Sequence, residues 1–161
     1  MKKVFGLIFL LIVILFSGCN LVEAIEITNN DSEIVKSRSE EIIRCFDERD
    51  AESIKKMMCS ETISNVSDID EQIQSAFEIY EGKSESYEVV YAGMAGSMQE
   101  GVWTDKHTSV KIKDIATDSG GKYIISYTEY FIYDDDENRV GVIAISLRND
   151  NGDLLVGIGE R

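Results

Sequence analysis

Proton transfer needs an ionisable side chain set among apolar strand positions, and Glu129 is the best candidate for that arrangement. It alternates with Ile125, Tyr127 and Phe131 on one face of a strand, while Ser126 and Thr128 take the other. Burial on that face would raise its pKa and suit it to act as a general base. Asp114, sharing a face with Val110 and Ile112, is the second candidate. A plainer reading is preferred, in which Glu129 lies near a sheet edge or pairs with a lysine in solvent. His107, the single histidine, stands close to Asp105 and Trp103. A His–Asp pair can move protons near neutral pH, but no serine elbow, second histidine or metal-ligand spacing accompanies it, so a loop or strand-end position is expected. Trp103, Tyr127, Glu129 and Phe131 could line a ligand pocket, although aromatic residues of a small sheet more often fill a core. Asp134, Asp136 and Asn138 imitate the start of a calcium loop, yet Arg139 stands where glycine is required and Ile145 where glutamate is. Residues 93–97 lack the lysine and the following helix of a phosphate loop and read as a flexible link or bulge. No cofactor and no metal are expected, and a non-catalytic role is favoured.

The elements that would carry these residues fall into two halves. An amphipathic helix is expected over 32–48, with Ile34, Val35, Ile42, Ile43 and Phe46 on its apolar stripe and Lys36, Arg38, Glu40, Glu41 and Arg44 in water. Asp50 can cap a shorter helix bearing Ile54, Met57 and Met58. A third helix begins with Asp68 and Glu71 as a capping-box variant, carries Ile69, Ile73, Ala76, Phe77 and Tyr80 inward, and closes at Gly82. The period then changes to two, giving strands over 86–92, 108–117, 122–133, 139–148 and 154–158 joined by Gly-, Asn- and Asp-rich turns. Such short links imply antiparallel hairpins. The expected fold class is α+β, with three N-terminal helices packed on a strongly curved antiparallel sheet of about five strands.

Ahead of this domain, Lys2 and Lys3 precede an apolar run from Val4 to Phe16 and then Ser17, Gly18 and Cys19. That is the layout of a secretory signal peptide. Residues 15–19 resemble the lipobox of bacterial lipoproteins, with Phe16 in place of the usual aliphatic residue. The resemblance implies that residues 1–18 are removed and that the Cys19 thiol receives a diacylglyceryl group. Acyl chains insert at about 0.8 kcal/mol per buried methylene, so the mature protein would sit on the extracytoplasmic side of the cell membrane. Residues 19–31 would be its tether and 32–161 its single domain.

Charge narrows the partners. The formal net charge is −14, and the two leader lysines would leave the mature part more negative still. Phosphate backbones and anionic lipid headgroups are repelled, which argues against nucleic acid. Cys45 and Cys59 fall on consecutive expected helices, five residues before and nine after a turn near Asp50. The axial offset of about 6 Å disfavours a disulfide, and two small buried hydrophobes are expected.

Residues 40–46 with Asp50, then residues 68–73 leading through Phe77 to Glu81, Gly82 and Lys83, and the strand-rich half after them, carry one further likeness. The chain resembles the nuclear-transport-factor-like (cystatin-like) cone fold, and more narrowly a family of small Gram-positive lipoproteins of unknown function. The resemblance implies a fold and an address but no activity. The expected partners are the bilayer through Cys19, and a small apolar ligand, a peptide or an envelope protein. The alternatives are an isomerase- or dehydratase-like enzyme using Glu129 with a tyrosine, and a structural module that dimerises through its sheet face.

Overall fold

Apolar residues recurring every three to four positions make α1, which is helical over residues 30–48 and buries Val35, Ile42, Ile43, Cys45 and Phe46. The computed structural model describes residues 30–159, so the leader, Cys19 and most of the expected tether lie outside the described residues. The chain divides into two compact units, residues 1–34 and residues 35–161; of the first, only the opening of α1 is described. No helix among the described residues is long and apolar enough to cross a membrane.

Arg49, at φ +60°, ends α1. Its guanidinium donates to the carbonyls of Phe46 and Tyr80 and lies over the Phe77 and Tyr80 rings, so one side chain satisfies carbonyls at the ends of two helices. Helix α2 (Ala51–Met57) is capped by Asp50, whose carboxylate accepts from the Ser53 amide at 3.1 Å. A helix the sequence reading missed, α3 (Ser60–Asn65), follows at once. Its cap is the thiol of Cys59, which accepts from the Thr62 amide at 3.4 Å. Helix α4 (Ile69–Ile79) turns Ile69, Ile73, Ala76 and Phe77 inward. The expected capping box is absent: Asp68 makes no side-chain cap bond and instead accepts from the Gln72 amide group. Phe46 meets Phe77 and Tyr80 edge-on at 5.5 and 5.3 Å, contacts worth about 1 kcal/mol each beyond their buried area.

Six antiparallel strands follow, one more than expected. They are β1 (Ser84–Tyr91), β2 (Ala95–Gln99), β3 (Val102–Thr117), β4 (Lys122–Tyr133), β5 (Gly141–Asn149) and β6 (Leu154–Gly159). The order is β1-β3-β4-β5-β6, with β2 also on β3. The extra strand is the segment read as a flexible link. It pairs from Ala95↔His107 to Gln99↔Val102 across a two-residue turn whose Glu100 and Gly101 both have positive φ, the twist that tight hairpins require. At Gly96 an added Cβ would meet the Asp105 carbonyl oxygen at 2.0 Å, so glycine permits the close pairing. A one-turn 3-10 helix, residues 137–139, occupies the expected start of β5.

The alternation on β4 buries Tyr123, Ile125, Tyr127 and Glu129 on one face. These join Val110, Ile112 and Ile115 of β3, Ile145 and Leu147 of β5 and Ile158 of β6 in one core with the apolar faces of the helices. Two irregularities bend β3 against β4: the register slips between Lys106 and His107, leaving Phe131 unpaired, and again between Ile112 and Ile115. Bulges of this kind add local bend and twist.

Candidate functional site

Glu129 enters the buried face of the sheet because residues 122–133 hold a strict two-residue alternation until the Phe131 bulge breaks it. It is only 3% exposed. Neither the sheet-edge position nor the lysine partner preferred from the sequence applies, because α1 supplies Arg38. The Nε of Arg38 donates to both carboxylate oxygens at 3.0 and 3.1 Å, and its Nη2 donates at 2.7 Å. Arg38, expected on the wet face of α1, keeps 30% of its side chain exposed while its head turns inward. Burial raises the Glu129 pKa and the Arg38 guanidinium opposes that rise.

Beside the pair, the Tyr127 hydroxyl donates to the Val35 carbonyl at 3.1 Å and meets the Ser39 hydroxyl at the same distance. Ser39 also donates to the Val35 carbonyl. Burial pushes the Tyr127 phenol up to about 12. This constellation therefore joins α1 to β4 with its polar groups already matched. A general base needs a free lone pair at the reacting atom, and here both carboxylate oxygens face a guanidinium.

The other candidates lie elsewhere. Asp114 does not share the Val110 and Ile112 face; it sits in the second bulge at φ +53°, exposed and 3.5 Å from Lys113 Nζ. Asp tolerates that conformation better than most residues. His107 Nδ1 lies 2.9 Å from Asp105 Oδ1, and its ring stands 4.8 Å from that of Tyr130. The Arg139 guanidinium lies over the Tyr130 and Tyr133 rings. Trp103 contacts the Lys106 ammonium at 5.8 Å. Glu129 pairs opposite Thr108, so Trp103 is five strand residues away, about 16 Å. Tyr127 and Glu129 are thus neighbours, while Trp103 stands well away from them along the sheet. In the turn after β4, Asp136 caps the 3-10 helix by accepting from the Asn138 amide.

Both remaining cysteines are free and buried, and burial pushes the Cys45 thiol up to about 11. Cys59 is more than the small hydrophobe expected, since it starts α3.

Sequence reasoning missed Ser39 and the role of Arg38. Ser39 falls on the same stripe as Val35, Ile42 and Phe46, and a lone hydroxyl at an apolar position was the available signal. The solvent side of the sheet offers different chemistry. Ser109, Ser126, Thr128, Ala144 and Ser146 line a shallow groove of about 350 Å3 with Val90 and Lys111, and Ser109 and Thr128 share a hydrogen bond of 3.0 Å.

A family model described as a domain of unknown function (DUF5104) matches residues 41–150. This span includes Glu129, Tyr127, Trp103, His107 and every residue lining the groove. No curated protein matches the chain.

Proposed function

The chain belongs to the DUF5104 family of domains of unknown function, and from that premise we propose a lipid-anchored, extracytoplasmic, non-catalytic binding module whose sheet face receives a peptide or an envelope protein. One observation carries the reading. The polar groups on the core face, Glu129 and Tyr127, are taken up by Arg38, Ser39 and the Val35 carbonyl, whereas the opposite face carries an open groove walled by small side chains. The short side chains there leave a depression in which a partner's side chains can seat.

The cone shape belongs to this proposal too. The Phe131 bulge of β4, the Asp114 bulge of β3 and the break between β1 and β2 support it, since each turns the strands further than regular pairing does. The anchor rests on the order of residues 2–19, and incorporation of labelled palmitate into the wild type but not into Cys19→Ala tests it.

Native mass spectrometry of protein taken from membranes tests the binding site. The expected result is a bound peptide or protein that is lost from Ala144→Arg while the variant keeps its melting temperature. A small apolar molecule retained by that variant would place binding elsewhere and sink the reading. The enzyme alternative requires Arg38 to leave Glu129, and activity surviving Glu129→Gln would remove it.

A further inference from the structure

The hairpin of β2 and the start of β3 reaches beyond the rest of the sheet. Pairing of β3 with β4 begins at Asp105↔Tyr133, so among the described residues Val102 and Trp103 have only β2 as their strand partner. Three residues beyond Asp105 carry the tip about 10 Å outward. That tip presents apolar side chains to solvent: Met98 is 54% and Val102 67% exposed, and Met98 stands opposite the half-buried Trp103. A tryptophan beside a lysine, here Lys106, combines an apolar body with polar tips, the arrangement suited to the boundary between headgroups and acyl chains.

The end of the sheet at which this hairpin lies is also where the chain enters the second unit. Val35 and Arg38 bind Tyr127 and Glu129, which pair with Val110 and Thr108 of β3. Asp47, at the other end of α1, binds Ser84, which stands opposite Thr117. Within the second unit, the Val35 end of the helix therefore lies toward the Val102 end of β3 and its Asp47 end toward Thr117. Val35 follows Cys19 by sixteen positions, the last five of them helical, a stretch that reaches at most about 45 Å, so a lipid on Cys19 would hold Val35, and with it this end of the second unit, near the same bilayer.

We propose that the β2–β3 hairpin is a membrane-contacting tip that seats Met98, Val102 and Trp103 in the headgroup boundary of the bilayer holding the anchor. This rests on the anchor reading. Charge identifies the kind of contact: the hairpin carries Glu100 and Asp105 against Lys106, in a chain of net charge −14, so the attraction is apolar and needs no anionic lipid. Glu100 at the turn keeps the apex at headgroup depth. A second weak membrane signal joined to a first by a short chain acts at high effective concentration.

Trp103 is the only tryptophan in the chain, which makes its fluorescence a probe of the tip alone. The full chain isolated from membranes is placed in phosphatidylcholine vesicles with or without bromine on the upper acyl chain. Quenching by brominated lipid of at least about twofold is expected, equal at low and high salt, because the contact is apolar. Met98→Ser with Val102→Ser should remove most of the quenching and leave the circular dichroism unchanged. Co-sedimentation reads the anchor separately. Protein that sediments with vesicles while Trp103 stays unquenched overturns the hairpin contact and leaves the anchor. If the wild type does not sediment, the anchor fails, and an unquenched Trp103 at saturating lipid overturns the tip as well. Quenching that survives the double substitution, or that needs anionic lipid and disappears in salt, also overturns it.

Discussion

At Glu129 a carboxylate lost its water and gained a guanidinium, and the balance between those changes decides what the residue can do. Removing one partner of a buried pair leaves an uncompensated charge, so Arg38→Ala should cost about 3 kcal/mol at neutral pH. Without Arg38 the folded-state pKa of Glu129 lies further above its unfolded value. Stability contributed by such a group is present at low pH and lost as pH rises through the folded pKa, so the variant should regain stability on acidification, and Glu129→Gln in the Arg38→Ala background should restore it at pH 7. Urea unfolding of the two variants between pH 4 and 7 measures this; a pH-independent loss would assign the cost to packing. Asp50 has the opposite sign. Hydrogen bonds from Ser53, together with Arg44, hold its carboxyl down at about 2. Its contribution is present above the ordinary carboxyl value of 3.8 and is lost as pH falls toward about 2. Asp50→Asn keeps the cap and removes the charge. The stability gap between wild type and variant should therefore close between pH 4 and 2.

Elements in this protein end where backbone groups find substitutes. Where α3 meets β5, the Cys59 amide donates to the Val142 carbonyl at 2.9 Å and the Thr62 hydroxyl to the Ile143 carbonyl at 3.1 Å. That approach leaves no room for a side chain at Gly159, where an added Cβ would meet the Ile143 carbonyl oxygen at 2.4 Å and the Met58 methyl at 2.7 Å, at φ +88°. Gly159→Ala should cost at least about 2 kcal/mol through clash and strain together. Gly152 has φ +89° but nothing within 4 Å of its Cβ position, so Gly152→Ala should cost only the left-handed penalty, about 1 kcal/mol. Equal shifts of the urea midpoint in the two variants would count against the close approach at Gly159. α3 escaped detection because its six residues bury only Thr62, too short a span for helical periodicity to register. β2 escaped because it is exposed at every position and owes its conformation to β3 and to its turn.

For the whole molecule, a net charge of −14 makes the compact state repel itself. Raising salt from about 10 to 200 mM shortens the screening length severalfold, and thermal unfolding should move upward by a few degrees; a downward shift would mean that attractive ion pairs dominate. The residue order alone established the α+β class, the antiparallel connections, the inward face of β4 and the apolar stripes of α1 and α4. Those are consequences of period and turn chemistry, which act over a few neighbours in the chain. The alternation made Glu129 a candidate for the core face, yet an edge or solvent position was preferred, because its Arg38 partner lies 91 positions away and no local pattern encodes which cation will meet which carboxylate. The same limit hid the Asp114 bulge and the separation of Trp103 from Tyr127. Each depends on register between strands or on contact between distant segments, and packing of the whole chain alone sets these.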